Sequence, residues 1–253
     1  MAINFKDDAF VEHIELQGGE LTKLKGIPTS KNVTGIEVRL SKAFIKDNKT
    51  IKFGPFPGFA QLYLIAIVVN DKGEVLQNLD IKGFPKVGDH EDLPVDKTIY
   101  YWKQNFPQEQ SPSQIHVLTS IIKSKQKLRD TGKVMSDVKN DAEFSGMVST
   151  LKQVIKNANA VAQVSDVLFS AAALIGKFLG KLDDKPLLTW VQSYTDINGD
   201  FDNLGKITTG KSNKNATLDL AIIIRDTSRE VEMANMQNMV IEELEIDRNG
   251  EIN

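Results

Sequence analysis

The chain contains no cysteine. That single absence excludes disulfide bonds, thiolate metal sites and cysteine nucleophiles. It leaves the compartment open, because a disulfide-free protein folds in any of them. Histidine is nearly as scarce: His13, His90 and His116 are widely separated. Long hydrophobic runs are missing too. "FAQLYLIAIVV" (59–69) and "VLFSAAALIG" (167–176) fall well short of the roughly 20 residues that a bilayer-spanning helix needs. The opening "MAINFKDDAFVEHIEL" lacks a basic segment leading into an apolar run with a small-residue cleavage site. Cytoplasm is therefore the default expectation, with signal-independent export as the alternative. No excess of one charge is present: the net charge is -3, so no overall field draws the chain to nucleic acid. A G-x-S-x-G elbow, an H-E-x-x-H pair and a P-loop are all absent. These gaps point away from an enzyme and from a nucleic-acid partner.

What is present is an ordinary globular composition. The chain has 253 residues, 41% hydrophobic and 26% charged, enough to bury a substantial core. Its first part has strand character. In "VTGIEVRLSKAFI" (33–45), Ile36, Val38 and Leu40 face one way while Glu37, Arg39 and Ser41 face the other. "FAQLYLIAIVVN" is almost continuously apolar, as a central strand buried on both faces would be. "EVLQNLDI", "TIYYW" (98–102) and "SQIHVLTSIIKS" (113–124) are further strand candidates. Proline-punctuated loops separate them.

The period then changes. "SKQKLRDTGKVMSDVKND" (124–141) and the stretch 142–180 carry apolar residues at three-four spacing, which predicts helices. Beyond residue 160 a second stripe, Val164, Val167, Ala171, Leu174 and Phe178, requires cover on a second side. Strands return in 186–197 and 215–226. The segment 229–247 fits helix or strand, and strand is the preferred reading. Strands grouped apart from helices argue against a parallel α/β sheet. The expected fold is mainly β with a helical insertion (α+β): an antiparallel β-sandwich of about seven or eight strands. Residues 1–124 and 183–253 would build the sandwich, and 125–182 an inserted helical hairpin.

One stretch raises a chemical question. "SYTDINGDFDNLGK" (193–206) places Asp196, Asn198, Asp200 and Asp202 at alternate positions around Asn198-Gly199. Calcium takes six to eight oxygen ligands, so alternating carboxylates are a sensible source. The first three donors match an EF-hand loop, but Phe201 stands where its glycine belongs and Ile207 where its bidentate Glu belongs. Asn-Gly is equally the preferred pair of a type I′ β-hairpin turn, so a β-hairpin or a plain surface loop is the competing reading. A third reading takes ligands from several loops at one end of a sandwich. With about eight strands, no cysteine, and acidic loops at Asp183–Asp184, Asp196–Asp202 and Asp89–Asp92, the chain is similar to C2-type sandwich proteins at the level of pattern. That resemblance implies calcium held by Asp183, Asp184, Asp196, Asn198, Asp200 and Asp202, and docking to anionic lipid.

The other candidates have plainer explanations. His90 in "GDHED" reads as a solvated turn, and His116 in a strand as a structural residue. "KSKQKLR" (123–129) is basic enough to touch phosphate or lipid headgroups, and it also suits a solvated helix start. The small residues of "SDVLFSAAALIGKFLG" permit close helix packing, in protein or in lipid. The expected function is a non-enzymatic interaction protein whose sandwich binds a protein or lipid surface, with calcium as an optional cofactor. The partner is a protein, a further copy of the chain or a membrane surface. The alternatives are a structural subunit of a bacterial multi-protein assembly or secretion apparatus, and a pore-forming toxin-like protein that releases its helices.

Overall fold

The strand sequences resolve into two sheets. The computed structural model describes residues 3–12, 33–52, 58–72, 79–155, 161–183, 185–196, 198–202 and 204–227. Its strands are β1 (Phe10–Glu12), β2 (Gly35–Ile45), β3 (Ala60–Asn70), β4 (Leu79–Val87), β5 (Glu91–Asp92), β6 (Lys97–Lys103), β7 (Gln114–Ser124), β8 (Leu188–Thr195), β9 (Gly205–Ser212) and β10 (Ala216–Arg225). Between β7 and β8 lie α1 (Thr131–Lys139), α2 (Ala142–Ile155) and α3 (Val161–Leu179). Sheet A has the order β1-β8-β7-β3-β4, and sheet B the order β5-β2-β10-β9, with β6 also on β2. Every pairing is antiparallel except that of β1 with β8. The mainly β, sandwich-like architecture with inserted helices is as expected. The strand count is ten among the described residues, and the helical block holds three helices instead of two. The expected strand at 229–247 lies outside the described residues, as does 73–78 of the segment before β4.

Three layers follow. One core fills the space between the sheets, built from Ile36, Val38 and Leu40 of β2, Leu218, Leu220 and Ile222 of β10, and Leu62, Leu64, Trp190 and Tyr194 of sheet A. A second core lies between the helices and the other face of sheet A, with Tyr63, Ile65, Ile67, Leu118, Ile122 and Val191 under Leu168, Ala172 and Ile175. Sheet A is thus covered twice. Successive side chains of a strand point to opposite faces, so β3 must be buried at nearly every position. Residues Leu62 to Asn70 are indeed all buried. β2 faces only one core, and it alternates until a bulge at Ser41 slips the register between Leu40 and Lys42. After it the inward residues are Ala43 and Ile45, which is why the sequence alternates only in part.

The helices are set by their ends. The Asp130 Oδ1 accepts the backbone N–H groups of Gly132 (2.9 Å) and Lys133 (3.2 Å), capping α1. Asp141 does the same for α2 through Glu143 and Phe144. α3 stops at Gly180, whose φ of 97° suits glycine. Both apolar stripes of α3 are used: Leu168, Ala172 and Ile175 are buried, and so are Val164, Ala171 and Leu174. Asp166 and Lys177 stay exposed, paired with Lys6 (2.6 Å) and Glu143 (3.4 Å). Among the described residues no helix is long and apolar enough to cross a membrane.

Candidate functional site

The sandwich has two ends. At the front, β3 ends at Asn70, β7 begins at Gln114 and β8 ends at Thr195; at the back, β7 ends at Ser124 and β8 begins at Leu188. The acidic residues singled out above divide between them. Asp196 donates its N–H to the Ser113 carbonyl, and Asp183 donates its own to the Lys123 carbonyl. Ten strand residues separate those two carbonyls, roughly 33 Å at 3.3 Å per residue. Asp183 therefore shares no ion with Asp196, Asn198, Asp200 and Asp202, and the expectation of one set built from these residues is corrected on this point. Asp183 pairs with Lys125 at 3.4 Å; Asp184 lies outside the described residues. Asp89 is also at the back. Its Oδ1 accepts the Asn48 N–H at 2.8 Å, and with Lys52 beside it the carboxyl is held below its usual range.

The front loop is not a hairpin turn. β8 pairs with β1 and β7, whereas β9 pairs with β10, so the chain crosses from sheet A to sheet B. Gly199 has a φ of 73°, yet the chain does not fold back onto β8. The reason is Phe201, which is buried in the core between the sheets and carries the loop across. The loop is stitched internally. The Thr195 N–H donates to Asp200 Oδ2 at 2.7 Å, and the Asn198 N–H to Thr195 Oγ1 at 3.2 Å. Burial, reinforced by Asp202, raises the Asp200 carboxyl against the lowering pull of hydrogen bonds from the Thr195 N–H and the Asn198 side chain. Burial likewise pushes the neighbouring Tyr194 hydroxyl up to about 12. Asp196 is exposed. Among the described residues no three His, Asp or Glu side chains come together as a metal would need.

Beside this loop is an open cleft of about 1000 Å³, lined by Thr34, Gln104, Phe106, Gln108, Glu109 and Asp196 among others. Phe106 is 56% exposed within it. His116, by contrast, is sealed. Its Nδ1 is 2.8 Å from Ser193 Oγ and its Nε2 3.3 Å from Gln114 Oε1. Burial lowers its pKa to about 4, with the nearby Asp71 carboxylate pulling the other way. A neutral imidazole buried in strand β7 is structural, as expected. His90 sits exposed in a turn with a φ of 54°.

Two features escaped the sequence. The first is β9, "GKITTGKS", whose lone apolar residue Ile207 gives no strand signal. It ends sheet B, and among the described residues nothing pairs with its outer edge. Lys206 points outward, and the Lys211 ammonium lies 5.9 Å over the Phe10 ring. The Asp219 carboxylate lies across Gly210, where a Cβ would approach it to 2.4 Å. The second is a back-end cavity of about 510 Å³ assembled from the N-terminal segment and the loops at 49, 185–189 and 213–215. Its residues come from four distant stretches, a grouping no local spacing reveals. Compared with protein-family models, curated proteins and solved structures, the chain matches none.

Proposed function

We propose that this protein is a non-enzymatic interaction module that receives an extended acidic segment of a partner protein along β9. The observation that carries this reading is a long, proline-free edge strand flanked by lysines. β4, at one edge of sheet A, is interrupted by Pro85 and has α1 beside it. β1, at the other, has three residues. At the edges of sheet B, β6 has seven residues and β9 eight, neither with proline, and among the described residues no strand pairs with the outer side of β9. Lys46, Lys206, Lys211 and Lys214 surround it. Lysine on an edge discourages pairing with a neutral or basic strand. A second β9 would bring lysine towards lysine, whereas an acidic strand is complementary.

The test is binding of a labelled peptide of alternating Glu and Val. Micromolar binding is expected, weakened about tenfold or more, equivalent to ~1.4 kcal/mol, by Lys206→Glu with Lys211→Glu. The same variant should unfold at an unchanged urea midpoint. Pelleting on phosphatidylserine vesicles without peptide binding would move the reading to an anionic lipid surface. Large oligomers by light scattering, without peptide, would move it to a structural subunit. Dye leakage from vesicles would favour release of the helices.

Calcium, implied by the C2 resemblance, would draw on the front-loop carboxylates Asp196, Asp200 and Asp202, of which Asp200 already accepts the Thr195 N–H at Oδ2. A ligand of the folded state raises the melting temperature. An unchanged melt between millimolar calcium and chelator removes calcium from the reading.

A further inference from the structure

Gly210 stands in the middle of β9 without a backbone reason. A glycine inside a strand weakens it, and often marks a place where another group comes close. Gly205 has a φ of 91°, but Gly210 is not among the glycines at positive φ. The group that comes close is the Asp219 carboxylate of β10. A Cβ on Gly210 would lie 2.4 Å from Asp219 Oδ1, nearer than real Cβ atoms come to any neighbour. Asp219 and Gly210 are direct partners in the pairing of β10 with β9. In the same pairing, Leu218, Leu220 and Ile222 point into the core, opposite Lys211, Thr209 and Ile207. Lys206, Thr208, Gly210 and Ser212 therefore share the outer face with Asp219, and all four are exposed.

The carboxylate thus occupies the place of a β9 side chain. The ion pairs on this face go elsewhere: Arg39 takes Glu37 at 3.1 Å and Asp96 at 3.0 Å, and Lys42 lies 4.0 Å from Asp92. At the end of the row, the Lys46 Nζ donates to Ser212 Oγ at 2.5 Å. Along its outer face β9 offers an incoming strand a cation at Lys206, a hydroxyl at Thr208, an anion at Gly210 and a cation at Ser212. Opposite charges facing each other stabilise a strand pair, and like charges destabilise it. A uniformly acidic strand would set a carboxylate against Asp219. We infer that Asp219 is the specificity-determining residue of this edge, and that the partner strand carries one lysine or arginine facing Gly210, between acidic residues facing Lys206 and Ser212. This rests on the reading of β9 as a docking edge. The partner's inward residues are apolar, because Ile207 on that side already packs on the core.

The experiment uses the whole chain and two labelled peptides of one composition. Sheet B is antiparallel throughout, so the matched peptide is Glu-Val-Lys-Val-Thr-Val-Glu, its first residue facing Ser212. The control, Glu-Val-Thr-Val-Lys-Val-Glu, moves the lysine to face Thr208. The matched peptide should bind about fivefold tighter or more, both than the control and than the alternating Glu–Val peptide. Asp219→Asn should level the matched peptide and the control at an unchanged urea midpoint. Gly210→Ala puts a methyl where the carboxylate lies, displaces it, and should shrink the advantage as well, which keeps the test if Asp219→Asn lowers stability. Equal affinities in the parent, or an advantage that survives both variants, overturn the role of Asp219 and leave β9 as a docking edge. Binding of none of the three peptides overturns both.

Discussion

Sheet A and sheet B share one core but meet their surroundings differently. Sheet A is packed by sheet B on one face and by three helices on the other. Sheet B turns Glu37, Arg39, Lys42, Asp219 and the 56%-exposed Tyr101 away from that core. The comparison teaches that coverage writes the strand sequence. β3 is apolar nearly throughout, and β7 buried nearly throughout, because water reaches neither face, whereas β2 and β10 alternate because one face remains polar. β9 sits at the rim, where little burial is asked of it, and its sequence is correspondingly silent.

The sharpest way to break the comparison is to truncate one residue from each sheet. Leu118 is fully buried under the helices, so Leu118→Ala should cost about 3–4 kcal/mol, by lost burial and the cavity left behind. Tyr101→Ala, on the open face of sheet B, should cost under about 1 kcal/mol. Equal losses in urea unfolding would mean that the helices do not seal sheet A. Acid tests the same seal. His116 titrates at about 4 in the folded state against 6.5 unfolded, so as pH falls the unfolded chain takes up the proton first. The stability present above pH 6.5 is therefore lost progressively between pH 6.5 and about 4, by roughly 3 kcal/mol. His116→Gln should flatten that part of the stability curve.

Smaller effects separate the two ends. Asn48→Ala leaves the Gly58 and Val87 carbonyls and the Thr50 N–H without their partner, and should lower stability by about 2 kcal/mol. Asp200→Asn at the front keeps an acceptor for the Thr195 N–H and removes a partly buried charge beside Asp202. It should change stability at pH 7 by less than about 0.5 kcal/mol. A loss near 2 kcal/mol there would show that the charge itself holds the front loop.

Periodicity gave away the parts of the fold that bury regular apolar stripes: β2, β3, β7, β8, β10 and both faces of α3. The bulge at Ser41 left its trace as broken alternation. Asn-Gly is a local signal that admits a hairpin or a plain surface loop, and the choice is made by Phe201 and by which strands β8 and β9 pair with. The acidic residues looked like one cluster because sequence reports proximity along the chain, not the length of β7 lying between Asp183 and Asp196. The lysines and Asn215 of the back-end cavity carry no signature, since each is an ordinary turn residue until four loops are brought together.

The pairing of β2 with β10 joins Phe44 to Thr217, the first long described strand to the last. During synthesis β6 reaches one edge of β2 early, but the ribosome must release most of the chain before β10 closes the other. Until then its apolar side waits, in need of a chaperone or of speed. A nascent chain stalled within the helices would hold every strand of sheet A except β1's partner β8, yet have no β10 with which to seam sheet B.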